Sequence, residues 1–138
     1  MLPPGRSWFK YPGASPEALD ALRSGAGVEL PKEYFDLLTF SNGGEGPLSA
    51  SPYNLCLDSA EDALKYKVAR TYEEFFPGFF VFGSSGGGDY IAFDVRVRQP
   101  WPVVAIDMTN INLWESVEFI AKDFGSFLAL VGLEKGDA

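Results

Sequence analysis

The chain has no histidine, a single cysteine, and only 11 lysines and arginines against 19 aspartates and glutamates. Without histidine, a Ser-His-Asp or Cys-His catalytic arrangement is impossible and the commonest general base near neutral pH is missing. One cysteine cannot close an internal disulfide, and no Cys/His group with metal-ligand spacing exists, which fits a reducing compartment. Cys56, between Leu55 and Leu57 in a strand-like stretch, reads as a small inert hydrophobe rather than a nucleophile. The deficit of cations leaves a net charge of −8, which repels phosphate backbones and argues against nucleic-acid binding. Long apolar runs are missing too. None approaches the ~18 residues of a membrane span, and Met1 to Arg6 lack the basic start and apolar stretch of a signal peptide. The expectation is a soluble, cytoplasmic protein that binds neither membrane nor nucleic acid.

What the chain has is apolar and aromatic: 46% hydrophobic residues and 12 phenylalanines in 138 residues. That is enough for a core without disulfides or a structural metal, so one domain over residues 1–138 is expected. Residues 1–14, rich in proline and glycine, read as an extended or loosely ordered lead-in.

Ser15-Pro16-Glu17 offers an N-cap, a proline at the first helical position and an acid in the first turn, so a short helix is predicted, with Leu19 and Leu22 inward and Gly25 and Gly27 as the stop. A second helix is predicted from Pro31 at its first position, with Tyr34, Phe35, Leu37 and Leu38 on one face and Asn42-Gly43-Gly44 ending it. Leu48 to Leu57 alternates like a half-buried strand, and Pro47 and Pro52 suggest an edge. Ser59 caps a third helix whose inner face would be Leu64 and Val68. Phe79–Phe82, Asp89–Val97 and Val103–Asp107 read as strands, antiparallel because their connections are too short for a crossover helix. A short strand over Val117–Ile120 and an amphipathic helix from about Asp123 to Leu133 close the chain. The fold class is therefore α+β: a mainly antiparallel meander with two N-terminal helices and a C-terminal helix packed on it.

Few groups have the makings of chemistry. The glycine run from Gly83 to Gly88 lacks a Gly-Lys-Ser/Thr ending and leads into a strand, so it reads as a hairpin loop rather than a phosphate cradle. Asp89, Asp94 and Asp107 stand at strand ends, where carboxylates usually bond turn amides, although three that converged would suit a hard cation. Trp8, Trp101, Trp114, Tyr11, Tyr53 and Tyr72 exceed what one small core must consume, and such residues anchor protein interfaces. Trp101, flanked by Pro100 and Pro102, is the one expected to be partly exposed.

Three motifs resemble the SUKH superfamily, named partly after yeast cell-wall-assembly regulators. Leu30-Pro31, Tyr34, Leu37-Leu38 and Asn42-Gly43-Gly44 resemble its N-terminal signature. Phe82-Gly83, Gly88-Asp89, Tyr90 and Phe93-Asp94 are similar to its central hairpin, and Phe124 with Phe127-Leu128 to its closing helix. Gly125, in place of a better helix former, and the unmatched stretch from Gly46 to Leu57 depart from the pattern. The resemblance implies an α+β domain without an active site or cofactor, used in bacteria mainly as an immunity protein that neutralises a toxin, often a nuclease. Trp101, the Asp58-Glu61-Asp62 cluster and Glu73-Glu74 are the candidate contacts for a basic protein partner, with the domain itself a monomer or weak homodimer. Alternatives are a regulatory scaffold that binds signalling or cell-wall proteins, and small-ligand or metal binding at the Gly83–Asp89 loop.

Overall fold

The structure is a computed structural model that describes residues 1–110 and 112–136, apart from the side chains of Leu113 and Trp114. Helix α1 spans Pro16–Gly25, and the Ser15 hydroxyl accepts from the Ala18 N–H at 3.1 Å, as the N-cap reading required. Helix α2 spans Lys32–Phe40. Pro31 was expected at its first position but is the N-cap instead, its backbone extended (φ −62°, ψ 145°), so the helix starts one residue later. Its buried face carries Tyr34, Phe35, Leu37 and Leu38, and burying Phe35, Leu37 and Leu38 is worth about 1.5–3 kcal/mol each in transfer from water. Helix α3, Ala60–Val68, begins where Ser59 accepts from the Asp62 N–H at 3.1 Å. Its inner face differs from expectation. Ala60 and Ala63 are buried with Leu64 packed beside them, while Val68 is 69% exposed. The small alanines let the first two turns lie close, and the apolar stripe has ended by the final residue.

Seven strands form one sheet in chain order, every pair antiparallel: β1 (Phe9–Lys10), β2 (Gly44–Pro47), β3 (Asn54–Leu57), β4 (Phe79–Ser84), β5 (Asp89–Asp94), β6 (Val103–Asp107) and β7 (Val117–Ala121). The predicted meander is its centre, with Phe80 opposite Phe93 and Ile91 opposite Ala105. β5 stops at Asp94 rather than Val97, because the Asp94 carboxylate accepts from both the backbone N–H and the guanidinium of Arg96 and so closes a turn. The stretch from Leu48 to Leu57 is not an edge strand. β3 covers only its second half and is paired on both sides, Pro52 lies in the turn before it, and the sheet's edges are β1 and β7.

β2 escapes a sequence reading because Gly-Glu-Gly-Pro has almost no strand propensity. The reason for its glycines lies on its surface. A Cβ on Gly44 would come within 2.8 Å of the Trp8 ring, and one on Gly46 within 2.6 Å. Trp8 lies across the strand, donates from its indole N–H to the Ser41 hydroxyl at 3.2 Å, and leaves no room for side chains beneath it. The lead-in is tied down elsewhere as well, with the Ser7 N–H on the Gly132 carbonyl at 2.8 Å and the Arg6 guanidinium on the Leu128 carbonyl at 3.0 Å.

The closing helix α5 runs only over Phe124–Leu128, not to Leu133, with Asp123 as its N-cap. Val131 instead bridges to Leu48, and Gly132 takes a positive φ and bonds to the Pro47 carbonyl, which a continuing helix would forbid. A four-residue turn of helix, α4 (Leu113–Ser116), lies before β7. Tyr34 stands at the centre of the main core, its ring 5.6–5.8 Å from those of Phe82, Phe93 and Phe124. A second apolar cluster of Phe76, Val81, Ala92, Val104 and Ile106 lies on the sheet's other face under Tyr72 and Tyr90. Among the described residues no helix is long and apolar enough to cross a membrane.

Candidate partner-binding surface

Asp58, just before the Ser59 cap, stands at the same end of α3 as Glu61 and Asp62 in its first turn. The residue that organises them is Asn42. Its side-chain oxygen accepts from the Ala60 N–H at 2.7 Å, and its amide nitrogen donates to Glu61 at 2.8 Å. Asn42 and Ser59 thus share the unsatisfied N–H groups at the start of α3. The Asn-Gly-Gly segment is a latch between α2 and α3 as well as a helix stop. The bond from Asn42 holds the Glu61 carboxyl below its usual range. Asp58 behaves oppositely. It is half-buried, its carboxyl has no hydrogen-bond or ion-pair partner among the described residues, and it is pushed up to about 6 by desolvation and then by the charge of Asp62. Asn42, Asp58, Asp62 and the exposed Tyr11 line a hollow of about 330 Å³.

The acids beyond the other end of α3 are differently placed. Glu73 is bonded by Arg70 at 2.6 Å and Lys67 at 3.5 Å, and those cations hold its carboxyl low. Glu74 is exposed. The expectation for Trp101 is overturned: it is 8% exposed, with its ring 6.0 Å from that of Phe93. Two residues before buried Val103, it falls on the same core-facing side of the chain. Tyr11 and Tyr53 are the exposed aromatics of the group singled out in the sequence, Trp8 and Tyr72 are partly buried, and the Trp114 side chain lies outside the described residues.

The remaining motif residues serve the frame. Leu30, Phe93, Phe124 and Phe127 are buried, and Leu128 packs against them. A Cβ on Gly83 would meet the Cys56 carbonyl at 2.6 Å, so glycine is required for β4 to approach β3. Gly43, Gly44 and Gly88 take positive φ angles. The glycine loop is no anion cradle. The Ser85 hydroxyl already accepts from the Gly87 and Asp89 N–H groups at 3.1 Å, and Ser84 from that of Gly86 at 3.3 Å. Asp89 bonds to Ser85, Asp94 to Arg96 and Asp107 to Thr109. Among the described residues no three of Asp, Glu and Cys gather to hold a metal ion. Burial and the Glu45 carboxylate push the Cys56 thiol up, away from the reactive thiolate.

A seven-stranded antiparallel meander with helices packed on it, two of them joined through an Asn-Gly-Gly latch, defines an α+β domain. Residues 13–130 match the model of the SMI1 / KNR4 family (SUKH-1), and the chain belongs to that family. A search of curated proteins gives no match.

Proposed function

We propose that this chain is a non-catalytic, cytoplasmic protein-binding domain that acts as an immunity protein and neutralises a basic toxin. A nuclease is the class of toxin whose phosphate-binding site its carboxylates would fill. The observation that carries the reading is the Asp58-Glu61-Asp62 turn, where three acids stand together without a cation, in a chain of net charge −8. Membership of the SUKH-1 family supports it. Surface carboxylates of this kind speed encounter with a basic partner more than they add affinity.

The test is affinity capture from the source organism at low and high salt, followed by association kinetics with the basic protein captured. Reversing Glu61 and Asp62 to lysine is expected to slow association about tenfold at low salt and less at high salt, with the fold retained at a lower melting temperature because the Asn42–Glu61 bond and the favourable first-turn charges are lost. An unaltered on-rate at low salt would refute the reading. The family description, which names the SMI1 / KNR4 proteins, keeps a regulatory scaffold as the second reading. A captured partner with a signalling or cell-wall role in place of a toxin would select it.

A further inference from the structure

On the side of the domain where α2 and α5 begin, residues 29–33, 99–101 and 123–125 enclose a cleft of about 480 Å³, within the range of roughly 300–1,000 Å³ typical of ligand sites. Its apolar surface comes from Leu30, Pro31, Pro100, Trp101 and Phe124. Its charged groups are Glu29, Glu33 and Asp123, and no lysine or arginine lines it. Lys32, next along α2, is engaged with Asp36 at 3.0 Å, and Lys122 is the one cation acting on Asp123. Asp123 accepts from the Ser126 N–H at 2.7 Å, which holds its carboxyl below the usual range and keeps it ionised. Gln99 donates to the Glu29 carbonyl at 2.6 Å and so ties one wall to the other.

Gly125 adds a second observation. A Cβ there would meet only the Asp123 carboxylate, at an ordinary 3.6 Å, and its φ is not positive. Neither packing nor backbone geometry demands glycine, yet the first turn of α5 forgoes the helix propensity of alanine. The space left open belongs to the cleft.

We propose that this cleft receives an arginine side chain of a partner protein, its stem against Trp101, Pro31 and Pro100 and its guanidinium among Glu29, Glu33 and Asp123. Three carboxylates outweigh the charge of Lys122 and favour a cationic occupant over an acidic one. A planar, weakly hydrated guanidinium suits both the carboxylates and the flat apolar walls better than an ammonium does. The inference rests on the reading of this chain as the binder of a basic protein, and adds where one of that protein's cations goes.

The test titrates acetyl-Gly-Leu-Arg-Leu-Gly-amide into the isotope-labelled protein, beside its lysine and citrulline counterparts. The arginine peptide is expected to shift the Trp101 indole and Gly125 amide resonances, and to bind about tenfold more tightly than the neutral citrulline peptide. Gly125→Ala is expected to weaken it about tenfold while raising the melting temperature. Glu29→Gln with Glu33→Gln, both on the surface, should weaken it about threefold and flatten its salt dependence. Equal binding of the citrulline peptide, or no shift at Trp101 and Gly125 at saturating peptide, would overturn the proposal. Shifts confined to Asp58 and Asp62 would overturn the cleft and leave the basic-partner reading standing. An arginine-specific response in the cleft, with no basic protein captured from the source organism, would uphold the cleft and sink that reading.

Discussion

The two ends of α3 carry acids in similar number, and in sequence they look alike. At the N-terminal end, Asp62 faces water, Asp58 is half-buried beside it, neither has an ion-pair partner among the described residues, and Asn42 bonds Glu61 without cancelling its charge. At the other end, Lys67 and Arg70 surround Glu73 and neutralise it. A run of acids is therefore a poor measure of a surface. The charge available to a partner is what remains after the neighbours that folding supplies have been counted, and on that count the first turn of the helix retains more of it than Glu73 does.

Substitutions at each end can sharpen or break this contrast. The largest expected effect is that of Asn42→Ala, which removes the bond to the Ala60 N–H and the link to Glu61 and should cost about 2 kcal/mol in urea unfolding, the upper range of a lost helix cap. A cost near zero would mean that Ser59 holds the end of the helix alone. Next comes Asp58→Asn. The folded-state value of about 6 lies above that of the unfolded chain, so the stability linked to protonated Asp58 is present below about pH 4 and is lost as the pH rises through 6. The substitution should therefore stabilise the protein by about 1–2 kcal/mol at pH 8, discounted for solvent screening, and by almost nothing at pH 4. An equal gain at both pH values would mean that charge is not the cause. Glu61 and Asp94, whose carboxyls are held low, have the opposite sign: their contribution is present above about pH 4 and fades below it. The unaltered protein is thus expected to be most stable on the acid side of neutrality, which a series of melting curves from pH 3 to 9 checks. The smallest effect belongs to the far end, where Arg70→Ala should leave both the melting temperature and the association rate at their original values, since exposed ion pairs contribute little. A clear slowing of association there would move the binding surface to that end.

Much of the frame was legible in the sequence. The caps Ser15 and Ser59, the apolar face of α2 and the central meander come from local rules, in which a hydroxyl bonds a nearby N–H or apolar residues repeat at a fixed period. The misses share one cause, since each depends on a partner far along the chain. β2 is a strand because Trp8 covers it, α5 ends early because Val131 is needed at Leu48, and Trp101 is buried because it continues the inward side of β6. Of the candidate surface, the cluster at Asp58 could be read directly from closely spaced acids. Asn42 was visible only as a helix stop. The cleft left a signal at Gly125, the odd glycine in a predicted helix, but its walls could not be read, because nothing local joins residues 29–33 to 99–101 and 123–125.

The bonds from Arg6 and Ser7 to Leu128 and Gly132 also set an order of events during synthesis. The N-terminal segment leaves the ribosome first, yet the residues just before β1 are among the last to find their partners. α1, α2 and the hairpins of the meander can form while translation continues. By then β1 can pair with β2 and Trp8 can bond Ser41, whereas Arg6 and Ser7 find their partners only once the chain has been made past Gly132. A ribosome stalled in the closing turns would therefore display a nascent domain whose lead-in is held at β1 but still loose at Arg6 and Ser7.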